Sequence, residues 1–167
     1  MIFVTVGSQK FQFNRLLEKI DELIDKGIIT EEVFAQTGAS DYVPRNYSYE
    51  PFLDREAFAG KISECDKVIT HGGTGVIIGS VKKGKKVLAT PRYAKYGEHV
   101  DDHQLQLLQQ FDDLGIIIAC YELEKLGDKY KELCTAQLNP YTSNTNELID
   151  SIEDFIKSNI KEHSCNS

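Results

Sequence analysis

The chain has 167 residues, of which 41% are apolar and 27% are charged, and these proportions are typical of a folded globular domain rather than of a disordered chain. Its 26 acidic residues outnumber its 19 basic ones and give a formal net charge of −7. A surface of that sign repels phosphate backbones and anionic lipid, which argues against nucleic acid as a partner. We predict one domain over residues 1–160 and a frayed tail over residues 161–167.

Targeting signals and cysteine spacing bear on the compartment. The amino terminus carries no basic segment or cleavage site that would indicate a signal peptide, and the best apolar run, residues 116–119, is far shorter than the roughly 20 residues that span a bilayer. The four cysteines, at positions 65, 120, 134 and 165, show no paired spacing, which is typical of reduced thiols. We therefore expect a cytoplasmic chain that reaches the inner face of a membrane only through a partner.

Short β-rich runs alternate with helical segments along the chain. In order, the patterns predict a strand at 2–6, a helix at 13–24, strands at 33–37 and 47–50, a helix capped by Asp54 and running to about 63, and a strand at 67–70. They continue with a helix ending at 83, a strand at 87–90, a helix from about 101 to 114, a strand at 116–119, a charged stretch, a polar loop at 139–146 and an amphipathic helix at 147–160. This alternation predicts an α/β fold with a parallel sheet and helices on both faces. In such sheets ligands bind beyond the carboxyl ends of the strands.

A glycine-rich segment, His71-Gly72-Gly73-Thr74-Gly75, lies between a predicted strand and a predicted helix. Glycines allow the backbone to approach an anion closely, and the first turn of the helix presents unpaired N–H groups to a diphosphate. The Thr74 hydroxyl and the His71 imidazole could each donate a further hydrogen bond. The alternative is a tight turn in which glycine only relieves backbone strain, and the local pattern alone leaves both interpretations open.

A second glycine pattern, at residues 79–86, has the Walker spacing up to its lysine. The position that should be Ser or Thr is Lys86, and the predicted order is helix to strand, whereas a P-loop runs from strand to helix. We therefore interpret the segment as the end of a helix, with Gly84 as its cap and lysines at the negative end of the helix dipole.

Residues 91–104 combine charge, aromatic rings and an amide in one loop and helix start. His99 and His103 are four residues apart, so a helix would present both on one face, as in some metal sites, and Asp101 and Asp102 could add oxygen ligands. No third ligand of matching geometry is evident. Binding of a sugar or ribose, or an ordinary polar surface, is the favoured interpretation.

Three motifs taken together resemble a known family: residues 5–8, residues 71–75 and residues 95–104. They are similar to the carboxyl-terminal, nucleotide-binding domain of family 28 glycosyltransferases. Within that family the pattern resembles the small soluble subunits of split capsular or exopolysaccharide β-1,4-galactosyltransferases, and more distantly the soluble subunit of the dolichol-linked N-acetylglucosaminyltransferase. The similarity extends to about residue 119, and the motif at 96–104 is its most specific part.

The resemblance implies a Rossmann-like domain equivalent to the C-terminal half of a GT-B glycosyltransferase, and it assigns roles to particular residues. Gln104, with His103 beside it, would hold the hydroxyls of the donor sugar, and a uracil pocket would lie near Phe52 and Leu53. The diphosphate site would fall on His71, Gly72, Gly73, Thr74 and Gly75. The first loop facing the cleft would fall on Gly7 and Ser8. In the peptidoglycan relative a glutamate that binds the ribose stands where this chain has Gly79, so Glu98 is the candidate substitute.

The implied reaction is an inverting, metal-independent transfer of a hexose, expected to be galactose, from a UDP-sugar to a lipid-linked saccharide, with no cofactor besides the donor. His71 is the candidate catalytic residue, since it would help stabilise the leaving UDP. A membrane-anchored partner subunit would bind the acceptor and supply the general base. The alternative is a non-catalytic UDP-sugar-binding accessory subunit, whereas a dehydrogenase-like binder is disfavoured because Gly-x-Gly-x-x-Gly is absent. The predicted amphipathic helix at 147–160 has an apolar stripe, which is a candidate surface for docking the partner subunit. Such a stripe more commonly packs against its own domain.

Overall fold

A computed structural model describes residues 1–99 and 104–140 of the protein. Over these residues the chain forms one sheet of six parallel strands in the order β3-β2-β1-β4-β5-β6. The strands are β1 (Ile2–Thr5), β2 (Val33–Gln36), β3 (Ser48–Glu50), β4 (Lys67–His71), β5 (Lys86–Thr90) and β6 (Ile118–Ala119). The order reverses between β1 and β4, so the crevice in which doubly wound folds bind ligands lies beyond the carboxyl ends of these two strands. The predicted parallel α/β sheet is therefore confirmed.

Five α-helices connect and cover the strands over the described residues. They are α1 (Asn14–Asp25), α2 (Arg55–Glu64), α3 (Thr74–Lys82), α4 (Gln104–Asp113) and α5 (Leu126–Thr135). The predicted cap of α2 is present, because the Asp54 carboxylate accepts a hydrogen bond of 2.8 Å from the Ala57 N–H and so satisfies one of the unpaired amides of the first turn. None of the helices at 1–99 and 104–140 is long and apolar enough to cross a membrane.

The two faces of the sheet carry separate apolar clusters, because successive side chains of a strand point to opposite faces. Ile2 and Val4 on β1, and Val6 just after it, pack with α1 and α5, whereas Phe3 packs with the cluster that contains Val68 and other residues of the opposite face. Helices therefore cover both faces, as the sequence predicts.

Helix α5 corrects one sequence prediction, since residues 126–135 lie in what we expected to be only a charged stretch. Leu126, Tyr130 and Leu133 are buried on α5 at intervals of four and three residues, which is one face of a helix. The Tyr130 hydroxyl also donates a hydrogen bond of 2.7 Å to a Glu31 carboxylate oxygen. The apolar stripe escapes notice in the sequence because it is narrow and flanked by charged residues. The predicted helix at 147–160 and the tail at 161–167 lie outside the described residues.

Candidate functional site

The loops that carry the predicted binding residues meet at the carboxyl edge of the sheet. Thr5 at the end of β1 pairs with Thr70 on β4, and His71 pairs with Thr90 at the end of β5. The chain leaving β1 continues into Gly7 and Ser8, and the chain leaving β4 continues into the glycine-rich segment. These two connections flank the point where the strand order reverses.

Two glycines, Gly7 and Gly73, lie very close to the His71 ring. A Cβ added to Gly7 would meet the ring at 2.6 Å from Cε1, and a Cβ added to Gly73 would meet it at 2.4 Å from Nε2. Both distances are shorter than real carbon contacts, so either side chain would displace the ring. Gly7 also has a φ of +77°, a conformation that disfavours other residues. These two glycines therefore leave the space that the imidazole occupies.

The His71 imidazole is uncharged at neutral pH. Its side chain is almost fully buried, and burial, followed by the positive charge of Arg92, lowers its pKa to about 4, against a smaller opposing effect from a hydrogen bond with the Thr5 backbone. Nδ1 lies 3.3 Å from the Thr70 hydroxyl oxygen. A neutral imidazole still has one N–H to donate, so His71 can act as a hydrogen-bond donor but not as a full positive charge.

The amino terminus of α3 lacks a capping side chain, since Gly73 occupies the cap position. The Gly73 N–H is used within the loop, where it donates to the His71 carbonyl at 2.8 Å. Gly75 is exposed on the first turn, and a Cβ added to it would meet no atom within 4 Å. The first turn holds no acidic residue. An uncapped helix start of this kind can receive an anion.

The second glycine pattern is the end of α3 and not a phosphate loop, as the sequence predicts. Gly84 has a φ of +70°, and its N–H donates to the Val81 carbonyl at 2.9 Å. Lys86 lies on β5, where its Nζ donates to the Leu133 carbonyl at 3.2 Å. The lysine is thereby directed toward α5 and away from the carboxyl edge.

The residues predicted to form the uracil pocket, Phe52 and Leu53, lie at the same edge of the sheet, between β3 and α2. The Phe52 side chain is 55% exposed, whereas Leu53 is half-buried against the cluster beneath it. The Pro51 carbonyl accepts a hydrogen bond of 2.8 Å from the Gly38 N–H, which holds the segment beside the end of β2. An exposed ring at this position is available to contact a base.

Glu98 does not fit the predicted ribose role. Its side chain is fully buried, and it binds Arg15 in a two-point ion pair, with Nε–Oε1 at 2.6 Å and Nη2–Oε2 at 2.8 Å. Oε2 also accepts a hydrogen bond of 3.0 Å from the Tyr93 N–H. Both oxygens are engaged inside the protein, so Glu98 is a structural partner of Arg15, and this geometry disfavours the predicted ribose role.

The sequence places Arg92 in the polar segment at residues 91–104 but assigns it no role, and the structure shows what its side chain contacts. Its side chain is fully buried, and its Nη2 donates to the carbonyls of Val6 at 2.5 Å and Phe11 at 3.0 Å. Burial lowers the pKa of Arg92 to about 10, with the charge of Glu98 acting in the opposite direction, so the guanidinium stays charged at neutral pH. The signal in the sequence is the position of Arg92, which directly follows Pro91 at the end of the strand predicted at 87–90.

Two predicted sugar-site residues can be placed only in part. Gln104 is the first residue of α4, and the structure does not describe its side chain, while His103 lies outside the described residues. The sugar-binding role of both therefore stays a prediction. Over residues 1–99 and 104–140, no three His, Cys, Asp or Glu side chains are grouped so that they could hold a metal ion.

Comparison with known proteins identifies relatives by sequence. The profile of the glycosyltransferase family 28 C-terminal domain matches residues 1–159. The chain is 35% identical over 82 residues to the UDP-N-acetylglucosamine transferase subunit ALG13 of Candida glabrata, covering 48% of this chain and 39% of that protein. It is 28% identical over 131 residues to human ALG13, covering 71% of this chain and 11% of that protein. The chain thus spans less than half the length of these relatives.

Solved structures of glycosyltransferases share the fold. They include SnogD of Streptomyces nogalater (TM-score 0.57, 20% identity, 80% of this chain and 34% of that one) and the glycotransferase of kitacinnamycin (TM-score 0.61, 18% identity, 81% and 35%). MurG of Acinetobacter baumannii is a third (TM-score 0.56, 20% identity, 79% and 41%). These are GT-B enzymes, so the predicted Rossmann-like unit is confirmed at the level of the fold. Because the family profile matches almost the whole sequence, the chain belongs to the glycosyltransferase family 28 C-terminal domain family.

Proposed function

We propose that the chain is the donor-binding subunit of a UDP-sugar-dependent glycosyltransferase. The observation that carries the proposal is the glycine-rich segment at residues 71–75, which brings a buried imidazole and the uncapped start of α3 together at the carboxyl edge of the sheet. Two sequence relatives are named as UDP-N-acetylglucosamine transferase subunits, which supports a UDP-sugar as the donor.

In the proposed mechanism the leaving group is UDP, and negative charge grows on its diphosphate as the glycosidic bond breaks. The N–H groups of the first turn of α3 and the partial positive charge of the helix start would stabilise that charge. His71 would contribute one hydrogen bond from its neutral imidazole. Because these donors are held in place before the reaction, they need no reorganisation when the charge develops. We propose that they suffice without a metal ion, with inversion at the anomeric carbon.

We further propose that a membrane-anchored partner binds a lipid-linked saccharide acceptor and provides the general base at the inner face of the membrane. A GT-B active site lies between two Rossmann-like domains, and the described residues form one such unit. The relatives' names as transferase subunits support a shared active site. We propose a hexosyl donor, with galactose suggested by the resemblance to capsular and exopolysaccharide enzymes.

A non-catalytic accessory subunit is the second candidate, since it would bind the same nucleotide and activate its partner. The two candidates separate when His71→Gln and Gln104→Ala are assayed with the partner. Loss of turnover in both variants while the complex still assembles is expected for an enzyme subunit. Full stimulation of the partner by both variants would instead establish the accessory role.

The primary experiment purifies the chain with its membrane partner and supplies a panel of UDP-hexoses together with a lipid-linked saccharide. We expect transfer from one UDP-sugar, dependent on both proteins and unaffected by EDTA. Full turnover by the chain alone would contradict the shared active site. An absence of transfer from every UDP-sugar, in a complex that binds UDP, would contradict the transferase proposal.

A further inference from the structure

A single nitrogen of Arg92 bridges the two ends of the loop that follows β1. Nη2 donates to the carbonyl of Val6, where the loop begins, at 2.5 Å and to the carbonyl of Phe11, where it ends, at 3.0 Å. The residues between them include Gly7 and Ser8, which face the carboxyl edge of the sheet. The guanidinium therefore closes this loop, which we name the first loop (residues 6–11).

The segment that follows Arg92 makes two more contacts, one with α1 and one with the chain just before α1. Glu98 forms the two-point ion pair with Arg15 on α1, and the Gln12 side chain donates a hydrogen bond of 3.1 Å to the Tyr96 carbonyl. These contacts, like those of Arg92, join residues more than 80 positions apart. The connection after β1 and the connection after β5 therefore form one connected unit.

Burying the Arg92 guanidinium to hold this loop costs free energy. Arg92 is fully buried, and among residues 1–99 and 104–140 its Nε and Nη1 have no hydrogen-bond partner. Unpaired donors on a buried cation cost free energy, and the ring of Phe13, 5.6 Å from the guanidinium carbon, offsets only part of that cost. An exception of this kind to the rule that buried polar groups are paired calls for a functional explanation.

We propose that Arg92 is a positioning residue, which holds the first loop, and with it Gly7 against the His71 ring, in the geometry required for sugar transfer. The role in transfer rests on the proposed function, whereas the effect on the loop does not. Arg92 acts through contacts with Val6 and Phe11 rather than on the substrate, since its side chain is inaccessible to solvent.

The charge of Arg92 has a second effect, on the imidazole. Arg92 and His99 are the positive or ionisable groups that disfavour protonation of His71, and burial acts in the same direction. Glu98 lies near Arg92 and is itself paired with Arg15. Removing only the charge of Arg92 should therefore make His71 easier to protonate, which a residue that merely fills space would not do.

The test compares Arg92→Met, which removes the charge, with Arg92→Lys, which keeps a charge but has no planar fork to bridge two carbonyls. The matched control is Glu132→Gln, which breaks the exposed pair between Lys129 and Glu132 on α5. Hydrogen exchange is measured on the isolated full chain. We expect the amides of residues 7–11 to exchange roughly tenfold faster or more in both Arg92 variants, with β4 and α3 unchanged and with no change in the control.

Two further measurements separate positioning from stability. An NMR titration should show a higher His71 pKa in Arg92→Met than in Arg92→Lys. With the partner, both variants should lose about tenfold or more in kcat while the donor KM changes little, since a small misplacement of reacting groups costs rate. Absence of transfer by the wild-type complex would count against the proposed function, and the exchange and titration results would still decide the role of Arg92 in the loop.

Three outcomes would overturn the inference. The first is unchanged exchange of the first loop in a folded Arg92 variant. The second is a mobile first loop with unchanged kcat. The third is failure of both variants to fold, as judged by circular dichroism, which would make Arg92 a residue of stability alone.

Discussion

The backbone of Gly73 lies so close to the His71 imidazole that a Cβ at this position would be 2.4 Å from Nε2. Gly7 also approaches the ring closely, since a Cβ there would be 2.6 Å from Cε1. Glycine is therefore required at both positions to accommodate the ring, and any side chain would move the His71 imidazole. This contact links the loop geometry directly to a measurable property, the affinity for UDP.

Gly73→Ala should weaken UDP binding because the added methyl group displaces His71 and changes the turn before α3. Loss of one hydrogen bond and distortion of the loop should cost about 1–3 kcal/mol, which calorimetry would detect. Gly60→Ala is the matched control, since Gly60 lies within α2 and has no atom within 4 Å of an added Cβ. UDP affinity unchanged in Gly73→Ala would remove His71 from the diphosphate site.

Gly75→Ala should separate binding from stability. The position is exposed on the first turn of α3, and an added Cβ meets nothing, so replacing a helical glycine should stabilise the fold by about 0.5–1 kcal/mol. A diphosphate seated on the same turn would meet the new methyl group, so UDP affinity should fall. Thermal unfolding measures the gain in stability, and calorimetry measures the loss of UDP affinity. Gly60→Ala should show only the gain in stability. If UDP bound equally well, the diphosphate would have to lie elsewhere.

UDP should bind more tightly than UMP, because UMP lacks the phosphate that would reach the far side of the glycine-rich segment. The donors proposed for the diphosphate are backbone N–H groups and one imidazole, so the difference should persist in EDTA. Calorimetry with both nucleotides, each with and without the chelator, makes the comparison. Equal affinities for UMP and UDP would argue that the loop does not cradle a diphosphate.

His71 should make the protein less stable as the pH falls from 7 to 5. Its pKa is about 4 in the folded chain and 6.5 as the reference value, so between these values the unfolded state binds more protons. The contribution of His71 to the free energy of unfolding is therefore fully present well above pH 6.5 and is lost as the pH falls toward 4. At pH 5 the loss is roughly 1–2 kcal/mol. Denaturant unfolding at both pH values measures the loss. The loss should shrink by that amount in His71→Gln, and an equal pH dependence in the two proteins would mean that His71 is not buried in its neutral form.

Gly79→Glu should strengthen UDP binding. The resemblance places the ribose-binding glutamate of the peptidoglycan relative at this position, and the space around Gly79 is open, so a carboxylate can be accommodated on α3. One added hydrogen bond to the ribose should contribute about 1 kcal/mol, or roughly fivefold in Kd. Gly79→Gln controls for the length of the side chain and for helix propensity. No gain, or the same gain with deoxyuridine diphosphate lacking the ribose 2′-hydroxyl, would show that the ribose lies away from this turn.

Much of the fold follows from local pattern. The strands and helices alternate with clear periods, so their order, the parallel sheet and the cap at Asp54 could be predicted. The local pattern does not predict α5, because its buried residues, Leu126, Tyr130 and Leu133, lie among charged residues. The predicted strand at 116–119 begins two residues too early but ends correctly, since β6 comprises only Ile118–Ala119.

For the candidate site, the sequence by itself determined the glycine-rich segment, because spacing between glycines, a strand and a helix is local information. Only the tertiary structure decided which polar residues are available to a ligand. Glu98 looks like a free carboxylate in the sequence, yet its partner Arg15 is 83 residues away along the chain. Arg92 looks like a surface cation, yet it is buried against carbonyls 86 and 81 residues away. Pairings between side chains so distant in sequence depend on how the strands are ordered in the sheet, which brings the loops after β1 and β5 to one edge.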